Sequence, residues 1–405
     1  MAGSLRTAVV GGSIAGCAAA VAVGLAGYEP TVYERSAGEF AERGFGIVMP
    51  PAIRDQLAAR GYLDASMPVC RATERLWLAR DPFGGIRELW HQRSQVLTCN
   101  WALLWQQLRS RVPDDKYRRG SEVTALRPEG AGVLVRTTGC EERHALVVGA
   151  DGYHSLVRKL VAPASRLQYA GYSLWRASVP LDRLTDAKRT EEDLTGRYLT
   201  IGFPGGHAIL YLVPQSAALP GRTRLNWALY AAPPAGADFD AELHYPTGRT
   251  TGIMRDHVHA LAREFFPDRW QEAILVADEQ EMAVQPVRDL TLATTAAYPL
   301  LLAGDAGTIT RPHTASGAVK ALEDALLLED LLTSGLPLTE ALRSYGTLRA
   351  NAGNLLVEVG RAIGRDQVES TPYWHEMTVE RMEEWANGTL DGYVHYLYEN
   401  ASEQT

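Results

Sequence analysis

The chain has 405 residues, of which 46% are hydrophobic and 22% are charged. This balance is typical of a globular protein of two or three domains and argues against intrinsic disorder. The 40 basic and 48 acidic side chains give a net charge of −8, which removes the usual electrostatic footprint of a protein that binds nucleic acid. The four cysteines form no CxxC pair, which favours a reducing compartment.

The N-terminal residues are patterned as a β-α-β unit. Residues 7–10 form a short apolar strand, residues 11–16 a tight turn, residues 17–25 a helix of small residues and residues 30–34 a second strand. The apolar run over residues 8–27 is also long enough for a signal peptide or a membrane span. The glycine and serine pattern inside this run favours the β-α-β interpretation, so we expect a soluble, cytoplasmic protein with no membrane partner.

The turn in this unit carries the spacing of a phosphate-binding loop. Such a turn brings backbone N–H groups and a helix N-terminus to one point, which attracts a pyrophosphate. Its three key positions are Gly11, Ser13 and Gly16, so serine replaces the middle glycine. Glu34, on the second strand, is placed to accept hydrogen bonds from both ribose hydroxyls and to repel a 2′-phosphate. The combination predicts a dinucleotide site; an ordinary glycine-rich turn is the alternative.

The rest of the chain alternates between β-rich and helical segments. The expected elements are strands within 117–135, a buried strand over 145–150, mostly β structure over 169–230, a helix over 250–266, a buried strand over 300–305, a helix over 318–332 and further helix beyond 361. We therefore predict an α/β fold. A Rossmann-like domain with a mostly parallel sheet is interrupted by an antiparallel β-sheet domain and followed by a C-terminal helical extension.

Two further motifs make the chain recognisable. One is VGADGYHSLVR over residues 148–158, and the other is LAGDA over residues 302–306, followed by RPHTASGA over residues 311–318. With the first loop, these motifs resemble the class A FAD-dependent aromatic hydroxylases of the para-hydroxybenzoate hydroxylase type, and most of all their 2,6-dihydroxypyridine hydroxylase-like branch. The similarity runs over about residues 5–350.

The resemblance implies a division into domains. The implied FAD-binding domain comprises residues 1–70, 100–163 and 285–350, the substrate-binding β-sheet domain residues 71–99 and 164–284, and the helical extension residues 351–405.

The resemblance also implies which residues bind the FAD. The positions that match the family's motifs are Gly11, Ser13, Gly16, Glu34, Arg35, Gly46, Ile47, Gln106, Asp151, Arg158, Asp305, Pro312, Gly317 and Ala318. Among these, Asp305 would bind the ribityl chain and Pro312 would lie against the isoalloxazine ring. The positive end of the helix after Gly317 would stabilise negative charge on the reduced flavin. Gly307-Thr308 and Asn100-Trp101 depart from the family's pattern, so flavin affinity or mobility is expected to differ.

The implied activity is that of a flavoprotein monooxygenase. NADH or NADPH, which the sequence does not separate, would reduce the FAD, and O2 would form a flavin C4a-hydroperoxide that hydroxylates an electron-rich aromatic or heteroaromatic molecule. His313 and Tyr211 are the candidates for the base or proton relay, although His313 could also be a packing residue in its loop. Baeyer–Villiger oxidation, epoxidation and a non-redox cyclase that keeps FAD as a structural element remain alternatives.

Three other features can be explained either by a structural role or by a functional one. Asp256-His257-Val258-His259 suggests a metal site, but positions two apart on a helix do not share a face, so no metal is expected. Trp175 and Trp227 lie on predicted strands, as core residues or as part of an aromatic substrate pocket. The aromatic-rich C-terminal segment either covers the body of the protein or forms a homodimer interface.

Overall fold

The computed structural model describes residues 5–38, 40, 45–215, 221–236, 250–390, 393 and 395–397 of the chain. The predicted α/β fold, with a mostly parallel sheet, an antiparallel sheet and C-terminal helices, is confirmed. The strands are β1 (Arg6–Val10), β2 (Glu29–Tyr33), β3 (Gly46–Met49), β4 (Cys70–Arg80), β5 (Ile86–Asn100), β6 (Tyr117–Arg118), β7 (Val123–Glu129), β8 (Gly132–Thr137), β9 (Glu141–His144), β10 (Leu146–Gly149), β11 (Gln168–Pro180), β12 (Gly196–Phe203), β13 (Gly206–Pro214), β14 (Thr223–Ala231), β15 (Ala283–Asp289), β16 (Ala296–Ala297) and β17 (Leu300–Leu302). The α-helices are α1 (Ile14–Leu25), α2 (Pro51–Ala59), α3 (Trp101–Arg109), α4 (Leu156–Val161), α5 (Ala187–Leu194), α6 (Gly252–Phe265), α7 (Asp268–Leu275), α8 (Ser316–Thr333), α9 (Leu338–Gly364) and α10 (Val379–Leu390).

The first sheet has six strands in the order β16-β17-β10-β1-β2-β6, and every neighbouring pair is parallel except β16 with β17. Successive residues of β1 pack into different cores. Val9 packs with α1 and α8, whereas Ala8 and Val10 pack on the opposite face with residues of β8 and β10. A strand covered on both faces is apolar throughout, which accounts for the uninterrupted hydrophobic run at the N-terminus.

The apolar run over residues 8–27 therefore divides between a strand and a helix. Within the described residues, no helix has the length and apolar character that a membrane crossing requires.

The second sheet has eight strands in the order β15-β11-β14-β13-β12-β4-β5-β3. Its pairs are antiparallel except β12 with β4. One face carries Trp175, Trp227 and Leu229, which are fully buried against α6 and α7. These two tryptophans are core residues. The opposite face carries arginine, asparagine, tyrosine and histidine side chains along β11, β14 and β13, an unusual composition for the inside of a protein.

The C-terminal segment packs on the second sheet. The Trp374 ring stacks on Trp77 of β4 with centroids 6.0 Å apart, and Met382 and Ala386 of α10 are buried in the same cluster. Part of the apolar surface of the tail is thus covered within its own chain, whereas Tyr373 and Val379 are exposed. The division into domains stays a prediction; β3, inside the expected FAD-binding segment 1–70, pairs in the eight-stranded sheet.

Candidate active site

Four of the predicted residues lie at the carboxyl ends of neighbouring parallel strands. Gly11 directly follows β1 and Glu34 directly follows β2. Asp151 is the second residue after β10, and Asp305 is the third residue after β17. The strands are adjacent in the order β17-β10-β1-β2, so the four positions span one edge of the sheet. In open α/β sheets this edge is where an extended nucleotide binds.

The turn after β1 has the backbone geometry of a phosphate loop. Gly11 has φ +98°, and a Cβ there would lie 2.4 Å from the carbonyl oxygen of Ala150. At Gly16 the strand and helix approach so closely that a Cβ would lie 1.9 Å from the Gly11 oxygen. Ser13 is the N-cap of α1, and its side chain makes no capping hydrogen bond. The first-turn amides therefore face the loop without a competing side-chain acceptor from Ser13, as a pyrophosphate site requires.

The carbonyl of Gly12 turns away from this site and is held by side chains. Trp105 Nε1 and the Tyr117 hydroxyl each donate to it over 2.9 Å, and the Cys17 thiol lies 3.3 Å away. Burial raises the pKa of the Cys17 thiol to about 12, so the thiol keeps the proton that it donates. Trp105 and Tyr117 could not be identified from the sequence, because neither belongs to a motif with a recognisable spacing. They reach the Gly12 carbonyl because α3 and β6 pack beside this loop.

Helix α3 presents a different residue to the cofactor loop from the one predicted. Gln106 is exposed, whereas its neighbour Trp105 is buried against the loop. The departures at Asn100 and Trp101 have local roles, since Asn100 Oδ1 accepts from the Ala102 amide at the start of α3 and Trp101 stacks on Trp105. A cofactor contact by Gln106 stays a prediction.

Glu34 is buried, and its carboxylate is oriented by two backbone amides. One oxygen accepts from Gly12 N and the other from Ser36 N, both over 2.7 Å. Each oxygen retains a further lone pair, so ribose hydroxyls can still donate to the same carboxylate. Arg35 is exposed beside it at the end of β2.

Asp151 and Arg158 hold the second motif in shape. Asp151 accepts from the Ser155 hydroxyl and from the amides of Leu156 and Val157, which fixes the start of α4. Arg158 donates to the Tyr153 carbonyl and to the carbonyls of Asp305 and Ala306. These bonds tie the loop after β10 to the loop after β17. Both side chains are positioning residues in this arrangement.

The loop after β17 presents a carboxylate with a buried cationic partner. The Lys320 Nζ atom lies 2.9 Å from Asp305 Oδ1, and Lys320 is 2% exposed whereas the Asp305 side chain is 52% exposed. Asp324, which pairs with Arg349, accepts from the Gly304 amide over 2.8 Å and fixes the same loop. Asp305 is thus held with its outer oxygen open, as a ribityl hydroxyl would require. Lys320 was not recognised from the sequence.

The turn before α8 brings backbone groups to the same edge. Pro312 is half-buried, and Ala315 has φ +50°, a left-handed conformation that is rare for a residue with a side chain. Gly317 and Ala318 follow in the first turn of α8; Gly317 is exposed, and a Cβ there would meet no atom within 4 Å. The positive end of α8 therefore faces open space above the parallel sheet.

The loop at the start of β3 closes the other side. The Gly46 amide donates to Asn226 Oδ1 over 2.7 Å, and a Cβ on Gly46 would lie 2.6 Å from the Tyr211 hydroxyl. Ile47 is buried, and Gly44, part of the same predicted loop, lies outside the described residues. Tyr211 thus contacts the segment predicted to lie beside the flavin edge.

Between these two loops, the polar face of the eight-stranded sheet contains an opening. The cross-strand neighbours Arg176, Ala228 and Ile209 are all partly exposed. The row on one side, Ser178, Asn226 and Tyr211, is buried, and so is the row on the other side, Leu174, Tyr230 and His207. We call the three open residues the floor row. An opening one row wide in a buried sheet face is the form of a small-molecule pocket.

His313 lies beside the floor row in a cluster of rings. Its ring centroid is 4.2 Å from that of Tyr230 and 5.1 Å from that of His207. The Tyr172 hydroxyl is 2.7 Å from His313 Nε2 and also receives a hydrogen bond from Arg311 over 3.3 Å. Burial holds the pKa of His313 well below its usual value and lowers that of His207 to about 3. Both rings are therefore neutral at neutral pH.

The tautomer of His313 follows from this network. Because a guanidinium can only donate, the network is satisfied when Tyr172 accepts from Arg311 and donates its own proton to Nε2. Neutral His313 then carries its proton on Nδ1, an atom that is buried without a partner among the described residues. The two histidines of the Asp256–His259 segment bond to separate backbone carbonyls, His257 to that of Ala232 and His259 to that of Ala277.

These groups fit an extended flavin dinucleotide. The loop after β1 offers amides for a pyrophosphate, Glu34 offers a carboxylate for a ribose, and Asp305 offers a carboxylate for a polyol chain. The turn at Pro312 also carries His313, whose ring packs on Tyr230 and His207 of the row beside the floor row. The residues thus provide separate sites for each part of FAD along one edge of the sheet.

Comparisons with known proteins agree with this geometry. No family model matches the chain. The chain is 30% identical over 365 residues to a 3-amino-4-hydroxybenzoate 2-monooxygenase of Streptomyces platensis, covering 85% of this chain and 84% of that protein. It is 28% identical over 368 residues to the 2,6-dihydroxypyridine 3-monooxygenase of Paenarthrobacter nicotinovorans, covering 86% and 88%.

A solved structure shows the same fold. The 2,6-dihydroxypyridine-3-hydroxylase of Arthrobacter nicotinovorans superposes with a TM-score of 0.80 at 24% identity, covering 93% of this chain and 96% of that one. The predicted recognition, activity class and cofactor are therefore confirmed. The chain belongs to the class A FAD-dependent aromatic monooxygenases.

Proposed function

We propose that this monooxygenase hydroxylates a small, electron-rich aromatic or heteroaromatic molecule that lies on the floor row between the Pro312 turn and the Gly46 loop. The observation that carries this proposal is the partly exposed floor row between two buried rows of the polar sheet face. The two relatives act on hydroxylated six-membered rings, a dihydroxypyridine and an aminohydroxybenzoate. A flat ring of this size suits an opening one residue row wide.

The chain's own residues bind and orient the cofactor and the substrate. Bound FAD, reduced by NADH or NADPH, supplies the electrons and activates O2 for transfer of one oxygen atom. The phosphate loop would bind its pyrophosphate, Glu34 its adenosine ribose, and Asp305, paired with Lys320, its ribityl chain. The N-terminus of α8 stabilises negative charge near Gly317 and Ala318. Buried rows on both sides of the floor row keep water from the reacting atoms.

His313 and Tyr211 flank the substrate position and remain the candidates for handling its proton. Burial raises the pKa of the Tyr211 hydroxyl, so Tyr211 keeps its proton at neutral pH and acts as a donor. His313 with its proton on Nδ1 is also a donor, and its Nε2 already accepts from Tyr172. We infer that Tyr211 orients an oxygen substituent of the substrate by donating to it, whereas His313, with its Nδ1 buried, packs in the ring cluster beside the floor row.

The proposal is tested with purified holoenzyme. Anaerobic NADH or NADPH should bleach the visible flavin absorbance, and a suitable hydroxylated aromatic should accelerate NAD(P)H oxidation in air. The product should contain one oxygen atom from heavy-isotope dioxygen, on an intact ring. A ring-expanded ester or an epoxide would instead establish Baeyer–Villiger oxidation or epoxidation. Isomerised product without flavin bleaching would establish a non-redox cyclase.

The cellular setting stays a prediction. The four cysteines are free, as expected for a protein of the reducing cytoplasm. A homodimer, with the aromatic-rich tail as its interface, remains a proposal to test by light scattering.

A further inference from the structure

The turn that leads into α8 has a backbone conformation that needs support. Ala315 has φ +50°, and a residue with a side chain persists in this left-handed region only when its surroundings hold it there. The φ angle of Ala315 describes the orientation of the peptide group that contains the Thr314 carbonyl. A group that binds the Thr314 oxygen therefore fixes the turn and, with it, the direction of the first amides of α8.

Two side-chain hydroxyls donate to the Thr314 carbonyl oxygen. Ser316 Oγ lies 2.9 Å from it and belongs to the turn itself. The Tyr396 hydroxyl lies 3.1 Å from it and belongs to the C-terminal tail, 82 residues further along the chain. Burial raises the pKa of Tyr396, so its hydroxyl keeps the proton that it donates. The two lone pairs of this carbonyl are thus both used.

His395 supports the same turn through Ser316. Its Nδ1 accepts from the Leu397 amide over 3.3 Å, and burial lowers the pKa of the ring to about 4. The neutral ring therefore carries its proton on Nε2, which lies 3.4 Å from Ser316 Oγ. Because Ser316 gives its own proton to the Thr314 carbonyl, its oxygen can accept from His395.

The tail segment that makes these contacts is itself anchored on the second sheet. Leu397 is buried, and its carbonyl accepts from Gln92 Nε2 of β5 over 2.9 Å. Gln92 Oε1 in turn accepts from Trp77 Nε1 of β4 over 3.1 Å. His395 and Tyr396 thus reach the turn from a fixed position, as a support for a strained backbone requires.

We propose that His395 and Tyr396 are positioning residues, which hold the Ala315 turn and so fix the positive end of α8 beside the bound flavin. This inference rests on the proposed function for the place of the flavin before Gly317, and it gives the C-terminal tail a part in the reaction. A helix N-terminus stabilises negative charge only close to its first turn. If the turn relaxes, the amides of α8 move from the anionic reduced ring, and reduction of the flavin becomes less favourable.

The test measures the flavin midpoint potential, the dissociation constant of oxidised FAD and the melting temperature of the holoenzyme. The variants are Tyr396→Phe, which keeps the ring and removes only the donor, and Ser316→Ala. Tyr393→Phe is the matched control, because Tyr393 is an exposed tyrosine of the same tail.

Tyr396→Phe and Ser316→Ala should each reduce the preference for reduced over oxidised FAD about fivefold. For a two-electron couple this change lowers the midpoint potential by about 20 mV. Tyr393→Phe should match wild type in all three measurements. Ala315→Gly supplies a rescue, because glycine adopts this backbone conformation without strain. In that background Tyr396→Phe should shift the potential by less than about half as much.

Three results would overturn the inference. The first is a midpoint potential in Tyr396→Phe that equals that of Tyr393→Phe. The second is an equal weakening of oxidised and reduced FAD with a lower melting temperature, which would make the tail a structural cover only. The third is an undiminished shift in the Ala315→Gly background, which would separate the tail from the strained turn.

Failure of this inference is distinguishable from failure of the proposed function. If the potential is unchanged in Tyr396→Phe while an aromatic still accelerates NAD(P)H oxidation by wild type, the proposed function stands and this inference fails. If no aromatic does so but the potential falls in Tyr396→Phe as expected, this inference stands and the proposed function fails.

Discussion

Gly16→Ala tests the closest approach in the phosphate loop. An alanine Cβ at this position would lie 1.9 Å from the Gly11 carbonyl oxygen and 2.8 Å from its carbon. Because such atoms do not approach within 3.0 Å, strand and helix must separate by more than 1 Å. The neighbour is backbone and cannot rotate away, so we expect the free energy of unfolding of the apoprotein to fall by about 3 kcal/mol.

The same displacement weakens FAD binding. Each hydrogen bond from a backbone amide to a charged phosphate contributes about 1.5–3 kcal/mol, so the loss of one reduces affinity at least about tenfold. Gly24→Ala is the matched control in the same helix, because a Cβ at Gly24 meets no atom within 4 Å. That variant should keep FAD affinity and gain about 0.5–1 kcal/mol, since alanine is the better helix former.

Two measurements decide the outcome. Urea unfolding of the apoproteins reports the packing effect without the contribution of bound ligand, and fluorescence titration with FAD reports affinity. If Gly16→Ala and Gly24→Ala have the same free energy of unfolding and the same FAD affinity, the close approach of the β1 loop and α1 is wrong.

Three further predictions concern the pocket, the buried histidines and the loop support. Ala228→Phe should fill the floor row and reduce the aromatic-stimulated kcat/KM at least about tenfold while FAD is retained, and unaltered stimulation would place the substrate elsewhere. Burial lowers the pKa of His207 to about 3 in the folded protein, against about 6.5 in the unfolded chain, so the native state binds fewer protons. The free energy of unfolding therefore falls as pH drops below 6.5, by up to about 1.4 kcal/mol per pH unit. Urea unfolding between pH 6.5 and 5 should show a weaker dependence of this free energy on pH in His207→Gln, and an unchanged dependence would contradict the buried neutral ring. Trp105→Phe loses the donor to Gly12 O, so FAD affinity measured by titration should fall about fivefold, whereas Trp101→Phe should match wild type.

Local sequence patterns determined the cofactor edge of this protein. Each part of that edge is a strand end followed by a short turn, as at Gly11, Asp151 and Asp305, so neighbouring residues within one segment specify it. Strand, turn and helix periodicity then predicted the α/β fold, and motif order identified the family. Even the ambiguous apolar run after Arg6 was resolved by the glycine and serine spacing within it.

Tertiary structure alone decided what supports and faces that edge. Trp105 reaches Gly12 because α3 packs beside α1, and Lys320 meets Asp305 because α8 runs behind the β17 loop. Tyr396 is one tyrosine among many in the sequence, and its bond to the Thr314 carbonyl appears only when the tail packs on the second sheet. Such contacts join residues far apart in the chain through packing and strand register, which no local spacing encodes.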